Sequence, residues 1–201
     1  MKEAIDLFRY ENELLQEGYT LIGGMDEVGR GPLAGPVTVA CCVMDLSKRI
    51  PGVNDSKKLS EKKREKLYPE IIENTISYSV VSIDNEEIDR LNILNATKKA
   101  MKKCVVAMVP QPHFLLVDAV DEDFGVQYKS IIHGDALSYS IAAASIIAKV
   151  TRDEMMKTYD SIYPEYGFAK HKGYGTKEHI EAIKKYGPCP IHRKTFIKNF
   201  V

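Results

Sequence analysis

Three carboxylates stand where apolar runs end. Asp26 and Glu27 follow the apolar, partly β-branched residues 19–25, and Asp118 closes the short apolar run 114–117. Loops at the ends of core strands are where a rigid scaffold presents side chains to a cleft. A carboxylate there is desolvated, and leaving it unpaired costs several kcal/mol, so a cation is expected beside it. Arginine or lysine would be the structural answer and a divalent metal the functional one. Hard oxygen ligands without a neighbouring His or Cys pair favour Mg2+ or Mn2+ over zinc. Successive strand residues point to opposite faces, so Asp26 and Glu27 could grip one site from two sides or straddle two ions. Position alone leaves metal ligation and ordinary ion pairing both open.

A fourth candidate, Asp135, precedes the alanine-rich residues 136–159, the most helical stretch of the chain. Aspartate just before a helix is a standard N-cap, although one oxygen can cap while the other ligates. Asp153 competes with it: eighteen residues later on the expected helix, it repeats the same face but lies about 27 Å away at 1.5 Å per residue. Only one of the two can join the strand-end carboxylates, and Asp135 is the better placed. Between the acidic groups, Gly29-Arg30-Gly31-Pro32-Leu33-Ala34 has the spacing G-x-G-x-x-A. A dinucleotide-binding turn would lead into a helix, whereas Pro36 and a β-branched run follow here, so that reading is rejected. Two glycines flanking an arginine still let backbone N–H groups approach an anion closely. A tight hairpin connection is the alternative.

The elements that must position these residues are legible in outline. Residues 3–17 place Ala4, Leu7, Phe8, Leu14 and Leu15 near helical spacing. Residues 19–25 and 36–44 read as strands in hairpin contact. Ser60 is a candidate N-cap for a basic helix reaching about residue 74, and 76–83 alternates like a third strand. Residues 92–108 read as a helix stopped by Pro110 and Pro112. Residues 114–117 form a continuous apolar strand, and 126–132 a short one. The order is mixed α/β with an initial hairpin, expected to form one domain over 1–201.

Composition narrows the class. Apolar residues make up 44% and charged residues 28% of 201, ordinary globular values that exclude a disordered or collagenous chain. The longest uncharged runs reach 14 residues, short of the roughly 18 needed to span a bilayer, and the charged N-terminus leaves no room for a signal peptide. Four cysteines without a C-x-x-C pair suggest buried, reduced thiols and a cytoplasmic setting. Net charge is zero, but residues 47–66 carry +5 and 167–198 carry +6, leaving −11 on the other 149. Two basic stretches on an acidic chain could form a footprint for a polyanion or simply two solvated faces. No zipper or exposed apolar stripe argues for an oligomer, so a monomer is the default.

The segment Asp26-Glu27-Val28-Gly29-Arg30-Gly31-Pro32-Leu33-Ala34-Gly35-Pro36-Val37 resembles the opening motif of type 2 ribonucleases H, the ribonuclease HII family. Further signatures follow in the family's order. They are Asn54-Asp55-Ser56-Lys57-Lys58-Leu59-Ser60, Leu116-Val117-Asp118, Gly134-Asp135, the helical run 140–153 ending Thr151-Arg152-Asp153, His171-Lys172-Gly173-Tyr174-Gly175-Thr176 and Pro190-Ile191-His192-Arg193. The resemblance covers residues 20–196. Val28 departs from the family's usual alanine, and neither a further C-terminal helical segment nor a clamp-binding tail is evident.

The resemblance implies a ribonuclease H-like α/β fold, a central mixed five-stranded sheet flanked by helices. It also implies hydrolysis of RNA in RNA–DNA hybrid duplexes and 5′ of single ribonucleotides in ribonucleotide-containing DNA. Asp26, Glu27, Asp118 and Asp135 would hold the divalent metal, Mn2+ or Mg2+, two ions with substrate bound. Backbone groups of Gly29, Arg30 and Gly31 would read the 2′-hydroxyl that separates RNA from DNA, and Tyr174 would pack on the next sugar. Lys57, His171 and Lys172 fall in the basic stretches and are candidate phosphate contacts, with a structural role equally open for His171. Residues from about 165 onward would form a basic substrate-binding portion. A metal-dependent nuclease or phosphatase indifferent to ribonucleotides, or a non-catalytic nucleic-acid-binding module, are the rival readings.

Overall fold

The computed structural model describes residues 6–199. In chain order the elements are α1 (Arg9–Gln16), β1 (Ile22–Val28), β2 (Val37–Met44), α2 (Glu61–Glu73), β3 (Thr75–Ile83), α3 (Asn85–Leu91) and α4 (Ile93–Val106). There follow β4 (Phe114–Asp118), β5 (Gln127–Ile131), α5 (Tyr139–Ile162), α6 (Phe168–His171), α7 (Lys177–Tyr186) and α8 (Lys194–Ile197). The strands form one sheet in the order β3-β2-β1-β4-β5. The pairs β1–β2 and β2–β3 are antiparallel, and β1–β4 and β4–β5 parallel. This is the mixed five-stranded sheet expected.

Strand β2 explains the packing. All eight of its residues are buried, because helices cover both faces. Val37, Val39, Cys41 and Val43 meet Ala96, Ala100, Met101 and Cys104 of α4. The alternate residues Ala40, Cys42 and Met44 meet Leu67 and Ile71 of α2 and the alanines of α5. Cys41, Cys42 and Cys104 are buried free thiols, as read from the sequence, and Cys189 is half-buried. The closest approach lies between β1 and α5. A methyl group on Gly24 would sit 2.0 Å from the Ser140 carbonyl carbon, so only glycine lets the first turn of α5 rest on the sheet.

Several boundaries differ from the sequence expectation. Strand β1 runs Ile22–Val28 rather than over 19–25, so Asp26 and Glu27 lie inside it. Pairing with β2 continues through Asp26↔Ala40, Glu27↔Val39 and Val28↔Thr38, whereas pairing with β4 stops at Met25↔Val117. Helix α1 starts at Arg9, after Asp6 Oδ1 accepts the Phe8 N–H; residues 3–5 of the expected helix, Ala4 included, lie outside the described residues. Helix α3 is additional to the expected elements. It is short, with Ile88 its main buried apolar anchor, and Asp84 caps it by accepting the Glu87 N–H at 2.8 Å. The following helix, α4, ends at Val106, before either proline.

The expected helix over 136–159 is α5, shifted to Tyr139–Ile162. Its N-cap is Ser138, which accepts the Ile141 N–H, so Asp135 is not the cap. Asp135 sits instead in a separate 3-10 turn, Gly134–Ala136.

The β1–α5 contact makes Gly24→Ala an overpacking test: in urea denaturation it should lose about 3 kcal/mol or more, and an unchanged midpoint would contradict the contact.

Candidate active site

Parallel pairing of β1 with β4 places Asp26 and Asp118 side by side where that ladder ends. The chain then returns from β5 through His133, in the left-handed region at φ 59°, into the 3-10 turn carrying Asp135. Asp118 Oδ1 fixes that turn by accepting the Gly134 N–H at 2.7 Å. Asp26, Asp118 and Asp135 each offer an oxygen, and the three atoms lie within 4.8 Å of one another. Asp26 and Asp135 are both 4% exposed.

Electrostatics inside the cluster is unfavourable for the charged state. Burial first, then the charges of Glu27 and Asp118, hold the Asp26 carboxyl well above the usual range. Burial likewise raises Asp118. Like charges this close disfavour joint ionisation unless a cation arrives. One is present: released from capping, Asp135 accepts a hydrogen bond from Lys57 Nζ at 3.2 Å.

Glu27 stands apart from the three. Its Oε1 pairs with Arg30 at 3.3 Å, while its Oε2 is buried without a hydrogen-bond partner. Burial raises its pKa, and Arg30 pulls it back. An unpartnered buried carboxylate oxygen is costly. Beside three crowded carboxylates, it belongs to a donor set of hard oxygens that suits divalent magnesium or manganese.

The turn after β1 begins at Gly29, at φ +90°. Arg30 and Gly31 are exposed at its tip. A methyl group on Gly31 would lie 3.8 Å from the Tyr174 ring and, among the described residues, within 4 Å of no other atom beyond its chain neighbours. Tyr174, 43% exposed, therefore stands over the turn.

His171 and Lys172 are turned into the fold rather than toward the carboxylates. His171 Nε2 lies 2.7 Å from the Tyr166 carbonyl and its Nδ1 accepts the Gly173 N–H at 3.2 Å. Lys172 Nζ donates to the Ala169 carbonyl and to Glu61. Both residues shape the loop that carries Tyr174. Asp153, the competitor of Asp135, pairs with Lys149 and Arg64 and lies outside the cluster.

Sequence reasoning missed two further supports. Ser56 and Ser145 share a hydrogen bond of 2.6 Å behind the cluster, joining the turn of Lys57 to α5. His179 Nδ1 donates to the Tyr174 carbonyl at 2.9 Å. Burial lowers the His179 pKa to about 4, leaving it neutral at physiological pH. The spacing Thr176-x-x-His179 at a helix start was a visible capping pattern, but nothing in it pointed to Tyr174. Among the described residues no helix is long and apolar enough to cross a membrane.

Comparison with known proteins gives a consistent picture. The family described as Ribonuclease HII matches residues 23–199. A curated Ribonuclease HII of Acetivibrio thermocellus is 54% identical over 202 residues, covering 100% of this chain and 79% of that protein. The Ribonuclease HII of Caldicellulosiruptor saccharolyticus is 54% identical over 204 residues, covering 100% of both. Among solved structures, the ribonuclease H2 of Pyrococcus horikoshii OT3 superposes with a TM-score of 0.78 at 29% identity, covering 90% of this chain and 97% of that one.

The crowded carboxylates carry a stability signature. Asp26, Glu27 and Asp118 all have folded pKa values above their usual ones, so the folded state binds more protons than the unfolded. Their contribution is fully present below the unfolded pKa of about 4 and is lost as pH rises through the folded values. Asp118→Asn keeps the acceptor for Gly134 and removes one charge. In metal-free protein it should melt roughly 2–4 °C higher than wild type at pH 8, with the gap shrinking toward pH 4.5. A gap independent of pH would contradict the crowding.

Proposed function

Because the chain belongs to the ribonuclease HII family, metal-dependent endonucleases that degrade the RNA of RNA–DNA hybrids, we propose that it also cuts duplex DNA on the 5′ side of single embedded ribonucleotides. The observation that carries this reading is the adjacency of two sites on one strand. The carboxylates of Asp26 and Glu27 lie in β1, and the exposed Arg30–Gly31 turn facing Tyr174 begins at its end.

In this reading Asp26, Asp118 and Asp135 hold the metals, and Glu27 supplies a fourth carboxylate through its unpartnered oxygen. Two bound Mg2+ or Mn2+ ions would supply activation of the attacking water and stabilisation of the leaving 3′-oxygen, giving 3′-hydroxyl and 5′-phosphate ends. The protein's own groups do the selecting. Lys57 offsets the charge of Asp135 and offers an ammonium to the scissile phosphate. The exposed N–H groups of the turn approach the 2′-hydroxyl and the neighbouring phosphate, which a groove-reading side chain would not need to do. Tyr174 packs against the sugar that follows and favours deoxyribose there.

The basic stretches 47–66, between Glu27 and Asp118 in sequence, and 167–198, after Asp135, supply phosphate contacts that would be salt-sensitive. Residues from about 165 onward act as the substrate-binding portion of one catalytic domain, working as a monomer in the cytoplasm. The corresponding role is removal of ribonucleotides during DNA replication and repair.

The test is cleavage of an end-labelled DNA duplex carrying one ribonucleotide, in Mg2+, Mn2+ and EDTA, with a matched all-DNA duplex. A single metal-dependent cut 5′ of the ribonucleotide is expected, with the all-DNA duplex intact. Equal cutting of both duplexes would favour a nuclease without ribonucleotide choice. Gly31→Ala has room in the fold and should melt like wild type, yet lose at least about tenfold in cleavage by blocking backbone approach. Tyr174→Ala should lose more at lone ribonucleotides than in long hybrids; equal losses on both would remove its role on the sugar.

A further inference from the structure

Two arginines lie fully inside the protein without a carboxylate partner. Arg152 of α5 and Arg193, just before α8, are each 0% exposed, and neither forms an ion pair among the described residues. Every bond their guanidinium groups make is to a backbone carbonyl. Arg152 donates to Pro36 at 2.8 Å, Lys172 at 2.9 Å and Ala34 at 3.2 Å. Arg193 donates to Gly35 at 3.0 Å, Arg30 at 2.8 Å and Gly29 at 2.6 Å. Five of the six acceptors belong to the turn between β1 and β2. A methyl group on Gly29 would fall 2.2 Å from Arg152 Nε, so the turn is built around these side chains.

Stability alone does not account for this arrangement. Burying an uncompensated charge is costly, and apolar replacements for buried ionic groups are often neutral or stabilising. The consequence lies in orientation. In a planar trans peptide the C=O and the following N–H point in opposite directions. Drawing the Gly29 oxygen inward onto Arg193 turns the Arg30 N–H outward, and drawing the Arg30 oxygen inward turns the Gly31 N–H outward. Neither N–H donates to a protein acceptor among the described residues. The rigid fork of guanidinium suits two adjacent carbonyls in a way an ammonium does not. Burial lowers both pKa values, Arg152 to about 10 and Arg193 to about 9, and both stay protonated at neutral pH. Two fixed positive charges therefore lie beneath the outward-facing amides.

We propose that Arg193, supported by Arg152, is a positioning residue for ribonucleotide recognition: it clamps the peptide oxygens of Gly29 and Arg30 so that the amides of Arg30 and Gly31 face a ribose hydroxyl and its phosphate. The proposal rests on the reading of that turn as the ribonucleotide sensor. It places a determinant of specificity where no substrate atom touches it.

The experiment measures dissociation constants in EDTA for an RNA–DNA hybrid and for the all-DNA duplex of the same sequence. Wild type, Arg193→Lys, Arg193→Gln and Gly31→Ala are compared. A merely destabilising change lowers the active fraction but leaves the ratio of the two constants alone. Arg193→Lys keeps the charge but not the fork, and should cut the preference for hybrid at least fivefold, as Arg193→Gln does. Retention of the preference within twofold by folded Arg193→Lys would overturn the clamp. If Gly31→Ala also leaves the preference unchanged, the reading of the turn fails; a loss confined to Gly31→Ala sinks the clamp alone. Amide exchange in the free wild-type protein decides the matter even if the arginine variants do not fold. The Arg30 and Gly31 amides should exchange nearly as fast as in an unstructured peptide, and strong protection of either would overturn the proposal.

Discussion

Three carboxylates held within 4.8 Å of one another are the constraint around which the molecule is organised. Ionised together in a site where burial already raises their pKa values, they repel, and a fold that gathers them works against its own electrostatics. The sheet imposes the arrangement regardless, because Asp26 and Asp118 are fixed by the parallel ladder of β1 and β4. Asp135 is fixed by the Gly134 N–H bound to Asp118. The strain in charge is held in place by apolar packing on both faces of β2 and by the close seat of α5 on Gly24. Lys57 offsets only part of it, which leaves the cluster short of positive charge.

The carboxylates and the glycine turn share one strand. Strand β1 carries Asp26 and Glu27, then passes into the turn whose oxygens are held by Arg152 and Arg193. In the proposed function, a ribonucleotide seated on the turn would lie at a fixed offset from the carboxylates, with no moving part between the two. Tyr174 joins the same surface through a loop that is itself tied back. The Leu33 N–H donates to Gly173 and His179 holds the Tyr174 carbonyl. The segment carrying α6 and α7 is thus tied to the β1–β2 turn by hydrogen bonds to backbone groups.

The sequence was informative where chemistry coincides with a local pattern. Asp26, Glu27 and Asp118 are acidic residues interrupting apolar runs, and the hairpin, the glycine turn and the Ser60 cap were all visible in spacing. Asp135 was visible as a position but not as a state. Asp and Ser compete as caps, and Ser138 wins, which frees the aspartate for the cluster. Helix α3 escaped because a short, charged segment with one buried apolar anchor has no strong periodicity. The arginine clamp was illegible for a different reason. Its five bonds to the turn join residues 116 to 164 apart in sequence, and a buried arginine serving carbonyls looks in sequence like any surface cation.

The central claim is that the carboxylate cluster is a divalent-metal site. Calorimetric titration of the metal-free protein with Mn2+ tests it most directly, with Asp26→Asn and Asp118→Asn as comparisons. Saturable binding in wild type that weakens at least about tenfold in both variants is the result predicted. Binding of equal strength in all three proteins would contradict it.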